Sequence, residues 1–245
     1  MGPVGVGGLT PAFPDEPTGD QGISRGKLVA WLGFVCALAA LSYYARYAIP
    51  EGEDERNLLY SYATAIAAVV QYGIMLGITL LIARGTNLRE TLALQRPRSI
   101  GRAVWQSAAA LAGIWVIGAA LAPFLNAGDE QGFIPERWEP DRAGAFAANV
   151  VVVVLLGPAV EEILYRGLGY SAVRAHLGAA AAVVISAAAF AAAHGLLLGL
   201  PILLVFGIAL ALLRRATESV YPGIVLHALF NASALALGIA FGDKL

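Results

Sequence analysis

The chain has 245 residues, 58% of them apolar and only 13% charged, with a net charge of −1 and a mean hydropathy of +0.70. A soluble domain of this length carries about a quarter charged residues, so a water-soluble globular protein is excluded. The near-neutral charge gives no basis for binding nucleic acid, and a single cysteine, Cys36, rules out an intrachain disulfide.

In chain order, Met1–Ser24 holds six glycines, four prolines and three acids before any periodic segment. This composition predicts a flexible cytoplasmic tail over residues 1–26. The first apolar block, Leu28–Ile49, is longer than the apolar core of a cleaved signal and follows that acidic lead, so it reads as a span. Cys36 lies inside it and reads as a small buried thiol. Seven apolar segments are predicted, at about 27–49, 57–83, 100–125, 143–165, 178–198, 200–216 and 221–241. Blocks of this length match a hydrocarbon core of about 30 Å at 1.5 Å rise per residue. The fold class is therefore all-α, a polytopic transmembrane helix bundle of about seven spans.

Between the second and third segments, Asn87–Arg98 interleaves Leu88, Leu92 and Leu94 with Arg89, Glu90 and Arg96. That pattern predicts an interfacial amphipathic helix on the headgroups. Counting Lys and Arg in alternate loops gives eleven on the side of the N-terminus and five on the other. The positive-inside rule then places the N-terminus in the cytoplasm. Arginine outnumbers lysine fourteen to two, a bias of GC-rich coding, which points to a bacterial inner membrane. Two membrane units are expected after the tail, residues 27–142 and a catalytic unit over 143–241.

Polar residues inside apolar spans cost about 2.5–3.5 kcal/mol each on insertion scales, so they mark candidate sites. The run Gly157-Pro158-Ala159-Val160-Glu161-Glu162-Ile163-Leu164-Tyr165-Arg166 places Glu162 and Arg166 four apart, the favourable order for an ion pair. Glu161 points about 100° away and is left without that partner. One carboxylate is neutralised and fixed; its neighbour stays desolvated and free for general acid–base work. Both glutamates could instead mark the inner end of a span. Phe190-Ala191-Ala192-Ala193-His194 sets a ring one turn below an imidazole, although a lone membrane histidine is often only bonded to a carbonyl. His227-Ala228-Leu229-Phe230-Asn231 stacks two donors on one face, suited to an oxyanion or to joining helices at about 0.6 kcal/mol. Together the three clusters supply carboxylates, imidazoles and an amide on three spans.

Taken in order, Glu161-Glu162-x-x-x-Arg166, Phe190-x-x-x-His194 and His227-x-x-x-Asn231 resemble the three-motif signature of the CPBP family. That family comprises CAAX-type prenyl-protein endopeptidases and bacteriocin-processing or self-immunity membrane proteins. The resemblance spans roughly Ala143 to Phe241 and implies a glutamate-dependent intramembrane endopeptidase needing no cofactor. By that resemblance Glu161 and His194 polarise a water, His227 and Asn231 stabilise the oxyanion, and Glu162 and Arg166 support them. The substrate it implies is a membrane-associated protein cut near its C-terminus. For a bacterial source, C-terminal sorting helices of the kind processed by myxosortases suit better than prenylated CAAX tails.

Zinc is the competing mechanism. No His-Glu-x-x-His helix is present, but His194, His227 and Glu161 could converge as three ligands. His176, beside Arg174, reads as surface. Simple spans also set Glu161 near the inner end of one helix and His194 about 22 Å along the next. The motifs then meet only if the chain breaks at Gly157-Pro158 and the fifth helix ends early, between Gly195 and Pro201, around a wet cavity open to the cytoplasm. Two other functions stay open, a non-proteolytic immunity or scaffold protein and a proton-coupled transporter; the transporter lacks an inverted repeat.

Overall fold

A computed structural model describes residues 22–48, 55–125 and 138–241. The expected tail lies almost wholly outside the described residues. The described residues hold nine α-helical elements: α1 (Arg25–Tyr47), α2 (Tyr62–Ala83), α3 (Leu88–Thr91), α4 (Ile100–Leu125), α5 (Ala143–Val151), α6 (Gly157–Glu162), α7 (Tyr170–Ala193), α8 (Leu200–Thr217) and α9 (Tyr221–Phe241). Two π-helical turns, Val152–Leu156 and Ile163–Gly169, join α5 to α6 and α6 to α7 without a break. No strand occurs among the described residues. The protein is an all-α polytopic bundle, integral to the membrane.

Among the described residues six continuous helices, rather than seven, are long and apolar enough to cross a bilayer. The difference lies in Pro140–Ala193, a single helical stretch of 54 residues. Straight, it would reach about 80 Å, far more than a 30 Å core accepts. It bends at Gly178, whose φ of 83° and ψ of 172° are open to glycine and strained for other residues. Phe190, twelve residues after Gly178, packs edge-on against Tyr165, thirteen residues before it, at 5.5 Å. Residues equidistant from the bend thus lie side by side, so the stretch is an antiparallel hairpin. Its arms supply the fourth and fifth expected segments.

The fourth segment does not stop at residue 165, and the depth conflict disappears with it. Glu161 lies seventeen residues before the bend and His194 sixteen after it. Both therefore sit at one level, about 25 Å from Gly178. The expected break at Gly157-Pro158 is absent, because the backbone stays helical through both residues. The preceding π-helical turn widens the helix where Pro158 has no N–H to donate. The early end of the fifth helix is present: α7 stops at Ala193, and Gly195 turns the chain with φ of +67°.

Of the expected interfacial helix only one turn forms. Helix α3 covers only Leu88–Thr91, and Ala93 already has φ of +51°. Leu92 is buried rather than lying on headgroups. The segment wedges against Gly167, whose bare Cα admits the Leu92 carbonyl, and Ala93 accepts a hydrogen bond from Val220 N–H at 3.1 Å. Cys36, expected to be buried, is exposed on α1, on a helix whose apolar surface mostly faces outward.

The core gathers α1, α2 and the hairpin around Trp31, Leu164, Leu168, Phe190 and Phe206, each fully or almost fully buried. Trp31 fits because Gly169 offers no side chain to collide with its indole.

Candidate active site

The site starts from the two π-helical turns. Such a turn shifts backbone bonding from i+4 to i+5 and leaves carbonyls open to other donors. Three are taken by side chains from other helices. Asn231 Nδ2 on α9 donates to Val153 O at 2.9 Å, Trp31 Nε1 on α1 to Leu164 O at 3.1 Å, and Arg214 Nε on α8 to Arg166 O at 3.1 Å. The turn of helix carrying both glutamates is thereby tied to three separate spans.

Glu162 and Arg166 form the ion pair their spacing predicts, Nη1 to Oε1 at 2.8 Å, with both side chains fully buried. Arg166 also donates through Nη2 to Gly207 O at 2.9 Å and lies 4.4 Å from the Phe190 ring centroid. A buried pair is stable only when further hydrogen bonds serve its remaining atoms. His227 supplies one, with Nδ1 at 3.3 Å from Glu162 Oε1. One turn earlier on α9, Gly223 leaves room for the other oxygen: a Cβ there would stand 2.7 Å from Glu162 Oε2.

Glu161 does point away from Arg166, but it is not left without a partner. Tyr72 on α2 donates its hydroxyl to Glu161 Oε1 at 2.9 Å. The second oxygen, Oε2, is buried with no hydrogen-bond partner and lies 3.9 Å from His227 Nε2. That gap is too long for a direct hydrogen bond. Donation from His227 Nδ1 to Glu162 leaves Nε2 turned toward Glu161 with its lone pair.

His194 caps the end of α7, half-buried, with Nδ1 at 2.8 Å from Phe190 O. A carbonyl only accepts, so Nδ1 carries the proton and Nε2 is left basic. The Phe190 ring separates the imidazoles, 4.6 Å from His194 and 5.6 Å from His227. All seven sequence-derived residues therefore lie in one assembly. Asn231 faces Val153, one turn from His227, and keeps one amide proton unassigned.

Among the described residues no group of three His, Cys, Asp or Glu side chains could hold a metal ion. The imidazoles point their Nδ1 atoms at Glu162 and at Phe190 O rather than to a common centre. His176 is not plain surface: its Nε2 lies 3.0 Å from Ile23 O, partly buried. Where a wet cavity open to the cytoplasm was expected, the glutamates are closely enclosed, the Glu161 side chain 12% exposed and that of Glu162 fully buried. A cavity of about 480 Å3 lies elsewhere, between α4 and α8 beside Trp105 and Arg215.

Three contributors escaped the sequence reading: Tyr72, the Gly207 carbonyl and Trp31. Tyr72 shares its span with other polar side chains, Gln71 and Thr79 among them, and nothing in its own segment links it to residue 161.

The family model described as type II CAAX prenyl endopeptidase Rce1-like matches residues 143–233. Residues 143–233 are thus similar to that endopeptidase domain. The match takes in both glutamates, Arg166, Phe190, His194, His227 and Asn231, and stops short of Tyr72 and Trp31. No curated protein and no solved structure matches the chain.

Proposed function

We propose that the protein hydrolyses a peptide bond near the C-terminus of a membrane-associated protein, with Glu161 as the general base. The observation that carries this reading is the state of Glu161 Oε2: buried, without a hydrogen-bond partner, and turned toward an imidazole. A water entering between Glu161 and His194 Nε2 gives up a proton to Glu161 as its oxygen attacks the scissile carbonyl carbon. The tetrahedral oxyanion is met by the second amide proton of Asn231; His227, expected to share that role, donates its ring N–H to Glu162 and orients that carboxylate instead. Glu161 then returns its proton to the leaving nitrogen as the C–N bond breaks. Glu162, Arg166 and Phe190 touch no reacting atom and hold the frame.

Under this reading residues 27–142 form a supporting membrane unit and 143–241 the catalytic one. The N-terminus is cytoplasmic, and His227, six residues into α9, lies about 9 Å below the arginine-rich face. The experiment uses purified protein in lipid nanodiscs with two probes, a farnesylated CAAX peptide and a transmembrane peptide bearing a C-terminal polar tail. Wild type cleaves one of them, and Glu161→Ala and His194→Ala do not. Cleavage retained in Glu161→Ala would overturn the mechanism.

A further inference from the structure

We infer that Tyr72 is a positioning residue that decides which oxygen of Glu161 is the base, and that the α2 helix is thereby part of the active site. The inference rests on Glu161 being that base. Tyr72 lies on α2, 71 residues before the segment that matches the protease family.

A carboxylate offers two equivalent oxygens, and free rotation would present either one to water. Here the two are made unequal. Oε1 accepts the Tyr72 hydroxyl at 2.9 Å. Oε2 has no hydrogen-bond partner and faces His227 Nε2. Fixing Oε1 fixes the side-chain torsions and leaves Oε2 as the oxygen of Glu161 free to take a proton. Holding the reacting atom within a fraction of an ångström is what such a contact contributes to rate.

The seat for the tyrosine is built into the motif helix. Gly157 is four residues before Glu161 and lies on the same face. A Cβ at Gly157 would stand 2.7 Å from the Tyr72 hydroxyl oxygen and 3.0 Å from its ring carbon. Only a residue without a side chain lets the phenol lie along the helix and reach the carboxylate one turn on. Tyr72 has no other hydrogen-bond partner among the described contacts, and its hydroxyl hydrogen is thus directed at Glu161.

The test reads the carboxylate directly and cleavage separately. In wild-type protein the infrared carboxyl band of Glu161 is identified as the band lost in Glu161→Gln. Tyr72→Phe shifts that band, because it removes one hydrogen bond from one oxygen and leaves the packing of the ring. A band unmoved by Tyr72→Phe would overturn the inference, whether or not the protein cleaves the probes. In the cleavage assay Tyr72→Phe lowers kcat by roughly tenfold to a hundredfold, the range for a hydrogen bond to a charged group. KM and the melting temperature stay close to wild type. Gly157→Ala displaces the hydroxyl and lowers kcat comparably. In the Tyr72→Phe background it adds much less than it does alone, since the shared contact is already gone. Strict additivity of the two substitutions, or a KM change in place of a kcat change, would also count against the inference. Loss of cleavage in no variant, Glu161→Gln included, would instead overturn the proposed base and leave the infrared result to decide the contact.

Discussion

The ring of Phe190 lies over the guanidinium of Arg166, 4.4 Å from ring centroid to charge, and the two residues are each twelve positions from Gly178. The hairpin closes on this contact. Arg166 is then enclosed by Glu162, the Gly207 carbonyl and an aromatic face, with no exposed surface. A planar guanidinium serves all three at once, which an ammonium does not.

Removing the arginine alone leaves a buried, uncompensated carboxylate. Arg166→Met is expected to lower stability by about 3–5 kcal/mol, the cost of breaking a buried pair from one side. Adding Glu162→Gln restores part of that loss, because the orphaned charge is removed. Equilibrium unfolding in mixed micelles measures both. A single variant within about 1 kcal/mol of wild type would mean that the pair is solvated, contrary to its complete burial.

Gly178 and Gly195 both have positive φ, but their surroundings differ. Nothing lies within 4 Å of a Cβ at Gly178, whereas at Gly195 it would stand 2.9 Å from the Ser42 backbone of α1. Gly178→Ala is therefore expected to cost about 1–3 kcal/mol from backbone strain alone. Gly195→Ala is expected to cost more and to lower activity, because it pushes α1 away from the end of α7 where His194 sits. Melting temperature and cleavage rate, measured for both variants, check the order. Equal effects on activity would separate His194 from the α1 contact.

The three motifs were readable in the sequence because their chemistry is local. Glu162–Arg166, Phe190–His194 and His227–Asn231 are each four apart, so helical spacing alone sets the members of each pair on one face. The spans were readable from hydropathy. What escaped depends on contacts between distant segments. Tyr72 and Glu161 are 89 residues apart, and Trp31 and Leu164 are 133. Neither π-helical turn has a sequence signal of its own. The fourth span was cut short at 165 because Arg166 reads as a boundary charge. In the structure that charge is neutralised inside the protein, and the helix runs on to Gly178. Leu92 similarly follows an amphipathic pattern, yet the bare Cα of Gly167 draws it inward.

Chelation tests the donor geometry. With the histidine Nδ1 atoms turned to Glu162 and to Phe190 O, and no three-ligand group among the described residues, millimolar chelator is expected to leave cleavage unchanged. Activity lost on chelation and restored by zinc alone would require both imidazoles to rotate out of these contacts.

Two roles are proposed for Asn231, and they separate by measurement. Its Nδ2 donates to Val153 O, a carbonyl left open by the π-helical turn. Asn231→Ala therefore removes one interhelical hydrogen bond, worth about 0.6–2 kcal/mol in a membrane bundle. If its second amide proton meets the oxyanion, the same substitution also lowers kcat by about 10²–10³-fold, with KM little changed. Stability of the folded protein and kcat at saturating peptide are measured on one preparation. A kcat loss no larger than the lost folded fraction would leave Asn231 as a clamp on the turn before Pro158. A kcat loss far beyond it assigns the second proton to the transition state.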